Sequence, residues 1–179
     1  MTKPPLPNLA LFDFDGTITS SDTFGPFLFF AATPARKALG RLVLSPLIVA
    51  YKLRMLSPSR LRRIAARFVF RSRRESEVRQ AGVEYSRSRL ANVVRPHALE
   101  RIRWHQAQGD EVVVVSASLD VYLADWCQKL GVELLCTELE AREGVLTGHY
   151  RSGDCCGEEK AKRVQERYDL QRFGVVYAY

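Results

Sequence analysis

Acidic residues are almost missing from positions 35 to 95, which carry Glu75, Glu77 and Glu84 against 16 lysines and arginines, a net of 16 − 3 = +13. The rest of the chain holds 11 basic and 17 acidic residues, −6, which gives the overall +7. Histidine is limited to His97, His105 and His149. Each is isolated, which excludes an imidazole-based metal cluster and leaves them as ordinary surface or partly buried side chains. Cys127, Cys136, Cys155 and Cys156 form no CxxC pair and are too sparse for a disulfide framework, so they are read as free thiols of a reducing compartment. The segment before Asn8 has no apolar signal-peptide core, and a cytoplasmic location is the resulting expectation. Leu42 to Tyr51 is an uncharged run between Arg41 and Lys52. As a helix it spans about 15 Å, half of a bilayer core, and is too short to cross one. With its basic flanks it can lie peripherally on the anionic inner face of a membrane. The competing reading makes it the core of a helical segment. No nucleic-acid-binding motif or aromatic interleaving accompanies the arginines, which argues against a nucleic-acid partner.

What is present suits a folded α/β protein: 46% of residues are hydrophobic and 26% charged, enough for a real core. Leu9-Ala10-Leu11-Phe12 and Val112-Val113-Val114-Val115 are short apolar runs of the kind buried on both faces of a parallel sheet. Between them the chain reads helical. Thr33-Pro34, Ser45-Pro46 and Ser57-Pro58 each pair an N-cap residue with Pro at the first helical position. Pro46 has a second reading, as a kink inside one longer helix. Ser72-Arg73-Arg74-Glu75 has the capping-box pattern and predicts a helix running towards Val94. Further helices are expected from His97 to Gln108 and from Leu119 to Leu130, then a strand from Val132 to Cys136 and a hairpin about Arg142-Glu143-Gly144. A helix carrying Lys160 and a strand over Gly174 to Tyr179 complete the βα alternation. The expected organisation is a discontinuous core, residues 1–20 with 95–179, interrupted by a helical domain over 21–94.

Asp13-Phe14-Asp15-Gly16-Thr17 follows the first strand, at the sheet edge where α/β folds place ligands. Residues i and i+2 of a strand share a face, and Gly16 permits the chain to turn there, so the two carboxylates are expected at one small site. Carboxylates that close favour a cation between or beside them, and Mg2+ suits hard oxygen ligands. The bland alternative is an Asp-Gly turn with two solvated acids.

These residues resemble the first motif of the haloacid dehalogenase superfamily, most of whose members are phosphatases. The resemblance implies a Rossmann-like parallel core with an inserted all-helical C1-type cap. It also implies Asp13 as nucleophile, Asp15 as acid/base and Mg2+ at Asp13 and Asp15. The phosphoryl group is expected against Phe14, Gly16 and Thr17, and against Ser116 and Ala117 of Ser116-Ala117-Ser118, the second motif. Ser118 is assigned to capping the next helix. Gly157-Glu158-Glu159-Lys160 resembles the third motif and nominates Lys160, with Lys162 as understudy. A fourth motif, Gly-Asp or Ser-Asp with a second Asp four residues on, is expected after the last strand, so the chain as given is expected to lack part of its metal site. A helical insertion here is similar to subfamily IB, the phosphoserine-phosphatase-like branch, whose Glu for the substrate amine is Asp22 in this chain. Asp22-Thr23-Phe24-Gly25-Pro26-Phe27-Leu28 and the apolar run look more like the phosphatidylglycerophosphatase C family, which acts on a lipid phosphate. Three functions stay open: a lipid phosphatase, a phosphatase for phosphoserine or another small phosphorylated molecule, and a non-catalytic lipid-binding relative.

Overall fold

The computed structural model describes residues 6–179; residues 1–5, the outer end of the expected 1–20 segment, lie outside the described residues. β1 (Leu9–Phe12) is central in a four-stranded sheet of order β3-β2-β1-β6, formed with β2 (Glu111–Leu119), β3 (Glu133–Thr137) and β6 (Val176–Ala178). Every pairing is parallel, with Leu9 opposite Glu111 on one side and Val176 on the other. Alternate residues feed two cores, as strand geometry requires. Ala10, Phe12, Val112 and Val114 enter the larger cluster, and Leu9, Val113 and Val115 enter the smaller one with Cys155 and Val164.

Crossover helices follow the sequence closely. α5 (Pro96–Ala107) leads into β2, and α6 (Asp120–Leu130) follows it, closed by Gly131 in the left-handed conformation at φ 68°. β4 (Leu139–Arg142) and β5 (Val145–Tyr150) form an antiparallel hairpin. Its turn residues Glu143 and Gly144 both have positive φ, the geometry that matches the twist of a tight hairpin. α7 (Glu158–Arg167) carries Lys160.

Between the Asp13 loop and α5 lie α1 (Phe24–Ala31), α2 (Pro34–Lys52), α3 (Pro58–Phe70) and α4 (Glu75–Ser88). Thr33 and Ser57 cap their helices by accepting from the Arg36 and Arg60 amides, each at 3.3 Å. Ser45-Pro46 opens no helix. Pro46 lies inside the 19-residue α2, so the single-helix reading holds. The Ser72 capping box is also corrected: Ser72 has φ 61° and the helix begins at Glu75 with no side-chain cap. Its backbone donors go to the hairpin instead, Ser72 N–H to Leu146 O and Glu75 N–H to Gly144 O, both 2.8 Å. A side-chain cap is unnecessary where a hairpin edge satisfies the helix entry.

The helices share the sheet's core. The Phe27 ring lies 4.6 Å from Tyr122 on α6, 5.3 Å from Tyr85 on α4 and 6.0 Å from Phe70 on α3, centroid to centroid. Burying one such phenylalanine contributes roughly 1.5–3 kcal/mol. Gly82 lets α4 press onto the start of α6, where a Cβ would meet the carbonyl carbon of Val121 at 2.5 Å and its oxygen closer still. His105, expected at the surface or partly buried, is fully buried, with Nδ1 2.7 Å from Asp110 and Nε2 2.9 Å from the Tyr179 hydroxyl.

Candidate active site

The loop after β1 separates the two aspartates by turning between them. Asp15 keeps an extended conformation and Gly16 takes φ 83°, a value that suits glycine because a Cβ would be strained there. Asp13 Oδ1 accepts the Phe14 amide at 2.7 Å and meets Lys160 Nζ at 2.7 Å. The Asp13 side chain is 41% exposed, so one side of the carboxylate faces open space.

Lys160, not Lys162, reaches the aspartate. Lys162 points to solvent, with Glu159 at 4.0 Å and Glu166 at 3.8 Å. Arg163, one turn beyond Lys160 and not singled out by sequence, fixes α7 in place. It donates to Cys136 O at 2.6 Å and Ser152 O at 2.7 Å, and holds Glu159 at 3.2 Å. The α7 entry is thereby tied to the end of β3.

Asp15 is held by a different set of partners. Its Oδ1 accepts from the Thr23 amide at 2.7 Å and the Thr23 hydroxyl at 2.6 Å, while Oδ2 accepts from the Ser118 hydroxyl at 2.5 Å. Burial pushes the Asp15 carboxyl above its ordinary value. The bonds from Ser118 and Thr23 offset this only in part, and the charge of Asp22 adds to the rise. Behind Thr23, the Tyr122 hydroxyl lies 3.0 Å from its Oγ1, and the Tyr85 hydroxyl donates to its carbonyl at 3.2 Å. Burial, with the Asp15 and Asp22 charges, pushes Tyr85 up to about 12, so its phenol stays protonated at neutral pH.

Ser118 corrects a sequence assignment. α6 has Leu119 at its N-cap and no side-chain cap, because β2 extends to Leu119 and keeps Ser118 pointing at Asp15. Ser116 is fully buried and accepts the Ser118 amide at 3.0 Å through a lone pair, which leaves its own proton to donate. Ala117 and Thr17 are half-buried and Gly16 is exposed, whereas Phe14 is buried with its ring 5.2 Å from Trp126. Asp22 Oδ2 accepts the Gly25 amide at 3.0 Å, steadying the first turn of α1. Thr23 and Ser118 were legible only as polar residues near a turn; their partner lies 8 and 103 residues away.

Asp22 also stands at one end of a cleft of about 630 Å³ bounded by α1, α2 and α3. Phe24, Leu28, Leu44, Ile48, Leu61 and Phe68 give it an apolar lining, with Arg36, Lys37 and Arg62 among its walls. As for a metal, Asp13 is a hard oxygen donor open on one side, but both Asp15 oxygens are engaged. Among the described residues no three His, Cys, Asp or Glu side chains converge. These side chains do not by themselves make the six-oxygen shell that Mg2+ demands.

A parallel sheet with a carboxylate and lysine at its carboxyl edge defines the class, and sequence comparison agrees. The model of the haloacid dehalogenase-like hydrolase family matches residues 10–179, and the chain belongs to that family. Protein CicA of Caulobacter vibrioides is 31% identical over 162 residues, 89% of this chain and 72% of CicA. A Bordetella pertussis Tohama I protein of unknown function has the same fold with a TM-score of 0.84 at 24% identity, over 97% of this chain and 82% of that one. A phosphoserine phosphatase solved as a phospho-aspartyl intermediate analogue matches with a TM-score of 0.63 at 19% identity, over 97% of this chain and 77% of its own.

Proposed function

We propose that this protein is a phosphomonoester phosphatase that works through an aspartyl-phosphate on Asp13. The observation that carries the reading is the Lys160–Asp13 pair at 2.7 Å, with a second, partly buried aspartate of raised pKa two residues on. An Asp13 oxygen attacks phosphorus in line, the ester P–O bond breaks, and Asp15 gives its proton to the leaving oxygen. Asp15 then takes a proton from water as that water attacks phosphorus, the aspartyl bond breaks, and inorganic phosphate leaves with Asp13 restored. Lys160, the Ser116 hydroxyl and the amides after Asp13 face the negative charge that spreads in both transition states, usually the largest contribution in such sites. A carboxyl whose proton affinity is raised by burial can serve as acid first and base second, which fits Asp15.

Phosphatases of this family generally use a divalent metal. For Mg2+ the residues that would hold the ion are Asp13, through its carboxylate, and Asp15, through its main-chain carbonyl since its side-chain oxygens are engaged, and the ion would supply positive charge at the phosphoryl oxygens. The helices over 21–94 act as the cap in this reading. The cleft they line favours a lipid phosphate such as phosphatidylglycerophosphate, because it offers an apolar wall for acyl chains with Lys37 beside it, Arg36 being held by the Val69 and Arg71 carbonyls and Arg62 by Asp154. Peripheral contact with an anionic membrane follows from the same substrate. A small substrate is the second reading, favoured by the fold shared with a phosphoserine phosphatase, and in it Asp22 would meet a substrate amine.

Parallel assays with phosphatidylglycerophosphate in anionic vesicles and with phosphoserine separate the two, and a strong preference for phosphoserine would overturn the lipid reading. Asp13→Asn is expected to abolish turnover of both. Undiminished turnover by that variant would remove Asp13 as nucleophile, and no turnover by the unmodified protein on any phosphomonoester would favour a non-catalytic lipid-binding role.

A further inference from the structure

We propose that the outward face of α2 docks the protein onto an anionic lipid surface, with the helix lying in the headgroup plane. Leu39, Leu42, Val43, Pro46, Val49 and Leu53 are all exposed, Leu42 by 76%. At 100° per residue they fall in one stripe about 120° wide, the width of a buried helical face. Among the described residues nothing covers that stripe. The opposite side of the same helix, Gly40, Leu44, Ile48 and Tyr51, lines the apolar cleft. α2 is thus apolar on two sides, one turned to the cleft and one to the outside.

Charge decides what the outer side meets. Residues 35–95 carry +13, and Lys52 and Arg54 are exposed where α2 ends. On α3, packed against α2, Arg60, Arg63 and Arg67 line a groove of about 300 Å³ with His149. A second copy of this segment would bring +13 against +13, whereas an anionic bilayer attracts both the cations and the apolar stripe. Among the described residues no helix is long and apolar enough to cross a membrane, so α2 lies on the surface. Docking stands apart from the catalytic chemistry. Only its consequence, a lipid tail entering the cleft from the bilayer, rests on the lipid-phosphate reading.

The test is co-sedimentation with vesicles of phosphatidylcholine alone or mixed with phosphatidylglycerol, at low and high salt, using the unmodified protein and the double variant Leu42→Asp, Val49→Asp. Neither position lines the cleft. Binding to the phosphatidylglycerol vesicles, weakened by salt and reduced about tenfold or more in the variant, is the expected result. Unchanged turnover of soluble p-nitrophenyl phosphate would show that the variant is folded. Vesicle binding without turnover in either protein would support docking and count against the phosphatase reading alone. Failure of the unmodified protein to bind, equal binding by the variant, or a dimer that the variant dissociates without any vesicle binding would each overturn the proposal.

Discussion

At the residue scale, the two aspartates of one short motif differ because of what surrounds them. Asp13 faces open space and a lysine, and Asp15 is partly buried among neutral donors. Ser118 donates to the charged form of Asp15, so Ser118→Ala raises the Asp15 pKa further. The limb of the pH–rate profile that Asp15 governs should then move to higher pH, and an unshifted limb with soluble phosphomonoester would separate Ser118 from the acid. Sequence nominated both aspartates by the motif that follows β1, and Lys160 by its place near the start of a helix after the second motif. It could not nominate Thr23 or Ser118, since a hydroxyl beside a turn is ambiguous between capping a helix and holding a carboxylate until the strand's true end is known.

Individual elements were legible where local chemistry decides them and obscure where distant backbone does. Thr33 and Ser57 begin helices as their hydroxyls and following prolines require. Ser72, with its capping-box pattern, begins none, because a hairpin more than 70 residues further on supplies its backbone partner. Gly82 makes a similar point about packing. In an isolated helix Gly82→Ala would gain about 1 kcal/mol from propensity. Against the Val121 carbonyl it should instead destabilise by about 1–3 kcal/mol, because backbone cannot yield as a side-chain tip can. Chemical denaturation checks the sign, and a more stable variant would mean that α4 and α6 do not approach as described.

For the whole molecule, Asp110 joins three distant segments through Asn8 before β1, His105 on α5 and, beyond that ring, Tyr179 after β6. Burial works to raise the Asp110 carboxyl, but bonds from His105 and Asn8 outweigh it and hold it below the usual range. A depressed carboxyl stabilises the fold above its unfolded value of about 3.9, and that stability is lost as pH falls through the folded value. Asp110→Asn should therefore cost roughly 1–3 kcal/mol at neutral pH, with the gap to the unmodified protein closing below about pH 4. A gap of constant size across that range in pH-dependent unfolding would contradict the linkage. That the sheet is parallel was foreseeable from apolar runs alternating with helices, but its order β3-β2-β1-β6 and the joining of the inserted helices and the sheet into one core were not, the latter depending on Phe27 meeting Tyr85 and Tyr122 from other segments. That shared core is what sets Asp15 beside Thr23, and so links the helical insertion to the candidate site. The most direct measurement is acid quenching of the protein during turnover of a 32P-labelled phosphomonoester, followed by mapping of the label. Phosphate bound covalently at Asp13 is the predicted result; turnover with no label on Asp13, or with label on another residue, would contradict the account.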